Sequence, residues 1–448
     1  MIRYHARWVV PVTSPPIRDG IVAVSGGRIA YVGPRDRAPE GEDRDLGDAA
    51  LLPGLVNAHT HLELTAFRGL LEGLPFPEWI RTLQAAKTEV LTRDRFLDAA
   101  CEGIAAGLRA GITTYADTCD SGVALEAMRT MGVRGIMYQE VFGPHPGVAP
   151  AREAVAGLRA KLAALEGQTT ERQRLGVSPH APYTVSDELY SMVAEIELPM
   201  AVHIAESEAE TRLVRDAEGP FAAALRKRDI PVVPRAASPI ALLERVGVLA
   251  RRPLLIHAVR LEEGDADRIV RTECSVAHCP ISNVTLGHGV APVLDLLSRG
   301  VAVGLGSDSM ASNNRMDLLE EARTATTMQR ARGGAHEALS AHRALALATI
   351  DGARALGLAE RIGSLEVGKD ADLAAFDVRK AARAADLDPA AALVYGTAGE
   401  PARTVLVAGE ERVRDWALLE DDAGRRVRVG ETEVALGQWK EQRAGPPS

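Results

Sequence analysis

The chain has 448 residues, 46% of them hydrophobic and 25% charged, a balance typical of an ordinary folded protein rather than a disordered or fibrous one. With 52 Lys+Arg against 61 Asp+Glu the formal net charge is −9, which argues against the basic field that nucleic-acid binding needs. No run of about 18 apolar residues is present, so no membrane span is expected. Residues Met1 to Trp8 lack the apolar core and cleavage site of a signal peptide. The four cysteines, Cys101, Cys119, Cys274 and Cys279, are too few for a disulfide scaffold and read as buried thiols in a reducing compartment, the cytoplasm.

The first fifty residues read as short strands. Residues 20–33 make two alternating runs around Gly26-Gly27, a hairpin signal. Apolar strands then alternate with longer helical stretches. Strands are predicted near Leu55–His59, Ile112–Asp117, Gly135–Glu140, Leu175–Ser178, Met200–His203, Leu254–His257, Ser275–His278 and Val301–Gly304. The 3.6-residue period predicts helices over 95–110 and 151–165 among the segments between them. Eight βα units in this length point to an α/β chain with a closed (β/α)8 TIM barrel. An open doubly wound sheet is the alternative, weakened because no Gly-x-Gly-x-x-Gly follows the first strand. Toward the far end, 371–377 and 404–409 are again short strand candidates.

Several of the eleven histidines fall at the C-terminal ends of these strands, the catalytic face of a TIM barrel. His59 and His61 are two apart on one strand, so both side chains take the same face, as a two-point metal clamp requires. His203 ends the fifth strand and offers a third nitrogen. Glu206, three residues on, can reach over the same site as a general acid/base. His257 ends the sixth strand, placed to polarise a nucleophile or substrate. Asp308 lies just past the eighth, where a buried carboxylate needs a cation or donors. Taken singly, each histidine fits a satisfied polar residue and Glu206 a solvated loop carboxylate; their convergence on one barrel face is what argues for a metal. Only six lysines occur and none ends a strand, so a lysine-bridged two-metal centre is not expected. One metal on three histidines and an aspartate suits zinc first and ferrous iron second.

These residues sit in motifs that resemble the amidohydrolase superfamily, in the branch of cytosine, guanine and adenosine-type deaminases and triazine chlorohydrolases. The motifs are Pro53-Gly54-Leu55-Val56-Asn57-Ala58-His59-Thr60-His61, His203-Ile204-Ala205-Glu206, His278-Cys279-Pro280-Ile281-Ser282-Asn283, Gly306-Ser307-Asp308-Ser309 and the stretch from Ile362 to Leu373. The resemblance spans nearly the whole chain. It implies a barrel over 54–362 flanked by a small β-sandwich built from both chain ends, 1–53 and 363–448. It also implies one metal on His59, His61, His203 and Asp308, with Glu206 as proton shuttle, His257 orienting the nucleophile and Asp308 accepting a proton.

Within that branch the chain looks most like deaminases of 6-aminopurine nucleosides. Arg68-Gly69, Trp79 and Pro179-His180-Ala181-Pro182-Tyr183 resemble S-adenosylhomocysteine and methylthioadenosine deaminases, and the stretch from His203 to Pro239 resembles aminodeoxyfutalosine deaminases. The expected substrate contacts are His180, Trp79, Arg68 and Asn283. One departure concerns the acidic residue that adenosine-type members use for the ribose hydroxyls: Glu89 is near its place but offset. The implied reaction is hydrolysis of the 6-amino group to the 6-oxo product and ammonia. Alternatives are hydrolysis of another aminated or chlorinated N-heterocycle, such as guanine, cytosine or an s-triazine, or a non-catalytic binding protein on the same barrel. The implied partner is a small N-heterocyclic molecule, with no nucleic acid and no membrane, and the family is compatible with a homodimer.

Overall fold

The computed structural model describes residues 1–335 and 338–444. Its centre is a ring of eight parallel strands: β1 (Leu55–Thr60), β2 (Ile112–Cys119), β3 (Arg134–Val141), β4 (Gln173–Pro179), β5 (Ala201–Ile204), β6 (Leu254–His257), β7 (Ser275–His278) and β8 (Val303–Leu305). They pair as two four-stranded sheets, β1–β4 and β5–β8. Parallel bridges join both seams, Val177 to Met200 and Thr60 to Asp308, and these close the barrel. Every residue of β1, β2 and β3 is buried, because helices cover the outside while Val56, Ala116, Ile136, Tyr138 and Ile256 pack together with Leu358 and Ile362. Strands covered on both faces lose the polar alternation of a half-exposed sheet, which is why they stand out as apolar runs in the sequence.

The helices follow local chemistry. The one expected over 95–110 runs Arg93–Arg109. Thr92 caps it by accepting from the Arg95 N–H, and small residues on its inner face let it lie close to the barrel. At Gly107 a Cβ would stand 2.3 Å from the Tyr115 hydroxyl, so a larger residue would displace that buried ring. The helix expected over 151–165 runs Val148–Glu166.

Both chain ends meet in one nine-stranded sheet. Ala49–Pro53 pairs antiparallel with Leu373–Asp377, stitching the two ends together. The hairpin is present as Ile17–Ser25 and Arg28–Pro34, and its turn residues Gly26 (φ 56) and Gly27 (φ 77) are both left-handed, as a tight hairpin turn demands. Tyr4, Val22, Ile29, Leu51, Leu373 and Leu406 form its separate core. The expected second half of this domain, 363–448, is too long. The last helix, Ala423–Ala444, packs on the barrel instead: Val429 and Leu436, two turns apart, enter a cluster with Phe67, Leu71 and Trp79. Arg428 also grips Asp98 through two 2.7 Å hydrogen bonds. Among the described residues no helix is long and apolar enough to cross a membrane.

One buried arginine ties sheet to barrel. Arg134 opens β3 and is 2% exposed. Its Nε donates to Asp372 Oδ2 and its Nη2 to Asp370 Oδ2, both at 2.9 Å. Removing one partner of a buried ion pair strands the other charge in a poor solvent. Arg134→Met is therefore expected to lower the unfolding free energy by about 3–5 kcal/mol in urea denaturation. A loss below about 1 kcal/mol, as for a surface pair, would show that apolar contacts alone hold the seam.

Candidate active site

The C-terminal ends of the barrel strands bring the expected cluster together. His59 is the penultimate residue of β1, and His61 follows one residue after the strand's end. His203 lies in β5 and His257 ends β6. Asp308 follows β8, its N–H donating to the His59 carbonyl at 2.9 Å across the barrel seam. Asp308 Oδ1 is 3.3 Å from His59 Nε2 and 3.6 Å from His61 Nε2, and His61 Nε2 is 3.2 Å from His203 Nε2. Ligands about 2.1 Å from a tetrahedral zinc stand about 3.4 Å apart, close to each of these three separations, and His59, His61 and Asp308 lie close enough together to hold one ion. His257 shares the cluster, its ligand atom lying within 4.8 Å of those of His59 and His203.

Protonation supports the same assignment. His61 Nδ1 is 3.0 Å from the Thr118 carbonyl, which can only accept, so Nδ1 carries the hydrogen and Nε2 presents a lone pair. His59 Nε2 is buried without a hydrogen-bond partner, a cost that a cation would remove. Burial pushes His61 down to about 3 and lowers His59 and His203 as well, keeping the imidazoles neutral, the form that binds metal. Burial raises the Asp308 carboxyl, but the imidazole of His59 at 3.3 Å, with His257 and His61 nearby, outweighs that and holds it well below the usual carboxylate range. Ser282 and Ser312 donate to Asp308 Oδ2, which turns Oδ1 toward the histidines.

Glu206 stands beside this cluster with Oε1 3.5 Å from His257 Nε2. Burial raises its carboxyl, and the charges of His257 and His288 reverse the effect, leaving it below its ordinary value. Its backbone is held by Glu210, whose two oxygens accept from the N–H groups of Ala205 (2.8 Å) and Glu206 (2.9 Å). Ala205 (φ 51), His257 (φ 77) and Asp308 (φ 57) all take left-handed backbone, a cost of about 1–3 kcal/mol each that folds tolerate chiefly at functional sites.

A cavity of about 450 Å³ opens onto the cluster. Its outer wall includes Phe76, Trp79, Leu83, Phe142 and Leu286, and its floor carries His61, His203, Glu206, His257 and Asp308. His180 lines it too. The Thr184 hydroxyl donates to the Ala181 carbonyl (3.1 Å) and lies 2.8 Å from His180 Nδ1, so Nδ1 is the donor and Nε2 remains an acceptor. Two expected substrate contacts are elsewhere. Arg68 lines a different cavity with Glu102 and Arg109, its guanidinium 3.5 Å from Met310 Sδ, because the 3-10 segment Leu62–Phe67 carries the chain away from the site. Asn283 is buried behind His257, its Oδ1 2.9 Å from Nδ1, and orients that ring instead of lining the cavity. Glu89 is likewise engaged outside, accepting from Trp439 Nε1 at 2.8 Å and pairing with Arg443.

Sequence reasoning passed over Glu63, Lys87, Glu140, Glu210 and His288. Lys87, on the helix Phe76–Val90, reaches Glu63 at 2.7 Å in a buried pair. Glu140, near the end of β3, lies 4.0 Å from His180 Nε2, and burial raises its carboxyl strongly. The available signal was a charged residue placed at the end of an apolar strand, as with Glu63 and Glu140.

The comparisons with known proteins agree with this geometry. Residues 50–412 match the model of the amidohydrolase family. The chain is 35% identical over 424 residues to a 5-methylthioadenosine/S-adenosylhomocysteine deaminase of Syntrophobacter fumaroxidans, covering 91% of this chain and 92% of that protein. It is 33% identical over 416 residues to the protein of that name in Moorella thermoacetica, covering 90% and 91%. Among solved structures, an adenosine deaminase from Xanthomonas campestris with bound zinc superposes with a TM-score of 0.84 at 28% identity, covering 98% of both chains. A match over most of the chain, with the histidine and aspartate motifs at the barrel mouth, places the protein by descent as well as by shape: it belongs to the amidohydrolase family.

Proposed function

We propose that the protein is a metal-dependent hydrolytic deaminase of 6-aminopurine nucleosides, with 5-methylthioadenosine and S-adenosylhomocysteine as leading substrates and aminodeoxyfutalosine and adenosine next. The observation that carries this is the identity of about one third, end to end, to deaminases of that name. The apolar and aromatic outer wall supports a flat base with an extended 5′ group. Three imidazoles and a carboxylate favour zinc, which when bound supplies the Lewis acidity that makes water nucleophilic near neutral pH.

The chain's own groups then account for the proton movements. Glu206, ionised at rest, takes one proton of the attacking water and delivers it to ring nitrogen N1, which makes C6 electrophilic. Asp308 accepts the second proton of the water. His257, held by Asn283, steadies the oxygen as it adds to C6. A proton returned to the amino group lets ammonia leave and the 6-oxo ring form. His180 Nε2 accepts from the nucleoside, and Trp79 covers it. Four free, buried cysteines support a reducing compartment, the cytoplasm.

The test is ammonia release by the zinc-loaded protein from 5-methylthioadenosine, S-adenosylhomocysteine, aminodeoxyfutalosine, adenosine, guanine, cytosine and an s-triazine. One 6-aminopurine nucleoside is expected to exceed guanine, cytosine and the triazine by about 10²-fold or more in kcat/KM. Silence on every nucleoside, or preference for the triazine, overturns the reading. Because Glu206 must start ionised to take the water's proton and lies below its usual 4.5, its protonation stops that transfer only at low pH. The kcat/KM profile is therefore expected to stay level from neutrality to about pH 5 and fall below it. An acid limb centred above about pH 6 would assign the limb to another group.

A further inference from the structure

His288 lies outside the residues that mark the metal site, yet the fold turns it into the catalytic carboxylate. It sits on the loop after the short helix Pro280–Thr285. Gly287 (φ 73) and Gly289 (φ 102) flank it in left-handed backbone, so the chain bends sharply on each side of this one residue. Its N–H donates to the Asn283 carbonyl at 2.8 Å, and its ring packs edge-on against Phe76 with centroids 4.4 Å apart. The side chain is 4% exposed, and Nε2 stands 3.3 Å from Glu206 Oε1. That nitrogen makes no hydrogen bond among the described residues, and Glu206 Oε1 at 3.3 Å is the carboxylate oxygen that stands against it. Glu206 Oε1 thus lies between two imidazoles, His257 on β6 and His288 on the loop after β7.

An apolar side chain would fill the space against Phe76 without leaving a buried polar nitrogen, which costs about 1–3 kcal/mol when unpaired. The placement makes sense if the nitrogen serves the carboxylate. We infer that His288 is a positioning residue for Glu206: its Nε2–H anchors Oε1, so that the other oxygen is aimed into the cavity at the substrate ring. The chemistry of this role rests on the deaminase reading, while the anchoring rests on geometry alone. Removing the anchor lets the carboxylate rotate, which weakens proton transfer without removing any substrate contact.

Two variants and two readouts test it. H288F keeps an aromatic ring against Phe76 but has no donor; H288Q restores an N–H at similar reach. Steady-state kinetics are measured on the best nucleoside, and crystal structures are determined for the zinc-loaded wild type and H288F. Outer-shell partners of a site cost about 10–100-fold when removed. H288F is expected to lose kcat by about that factor with KM within about twofold, H288Q to recover to within about fivefold of wild type, and the Glu206 carboxylate to turn away in the H288F crystal. Unchanged kcat in H288F, a loss confined to KM, H288Q as impaired as H288F, or Glu206 undisplaced in the H288F crystal would each overturn the proposal. If the wild type deaminates no nucleoside, the proposed function fails on its own, and the position of Glu206 in the two crystals still decides the role of His288.

Discussion

Glu206→Gln is expected to lower kcat by about 10²–10⁴-fold while one metal ion per chain remains bound. The substitution is nearly isosteric. The Glu210 clamp acts on the backbone N–H groups of residues 205 and 206, so it survives, and Glu206 is not among the proposed metal ligands. What the amide loses is the ability to give and take a proton at neutral pH. Equal losses in kcat and kcat/KM would mark an interaction made in the transition state alone. Metal analysis and a thermal melt on the same sample separate this from damage to the site. Activity within about twofold of wild type would remove Glu206 from the mechanism.

His203→Ala is expected to weaken zinc by at least about 10²-fold, because outer-shell partners already cost 10–100-fold and the proposed role of His203 is that of a direct ligand. His203 Nε2 lies 3.2 Å from His61 Nε2. With it gone, His59, His61 and Asp308 remain as a three-ligand set. The change also reads out as stability. At free zinc 1,000-fold above Kd the ion stabilises the fold by about 4.1 kcal/mol, and after a 100-fold loss of affinity the same zinc gives about 1.4. Zinc titration followed by thermal melting should therefore show a gap of about 2.7 kcal/mol between wild type and variant, and none between the two metal-free proteins beyond the loss of the ring itself. Equal zinc affinity in both proteins would move the ion to a different set of residues.

The barrel strands were legible because their signal is local. A strand buried on both faces has to be apolar along its length, and each observed strand ends within two residues of its expected limit. His59 and His61 were legible because the two-residue period assigns a face without knowledge of what that face meets. The last helix was misread as part of the end sheet because the partners of Val429 and Leu436 come from residues 67–79, hundreds of positions away. Arg68 and Asn283 failed as substrate contacts for a related reason. Their sequence neighbours place them near the site, but the direction of each side chain depends on a turn and on packing that no local pattern records.

Composition and periodicity by themselves determined the α/β barrel and placed His59, His61, His203, His257 and Asp308 at its strand ends, because each follows from short-range rules of backbone geometry; the metal set His59, His61, His203 and Asp308 was what the motif resemblance implied. Only the tertiary structure decided what surrounds them. Glu210 beneath Glu206, His288 beside it, Lys87 on Glu63 and Arg134 across the domain seam are contacts between segments brought together by barrel closure. A buried charge is stable only where a partner meets it, and which partner does so is set by the packing of the whole chain.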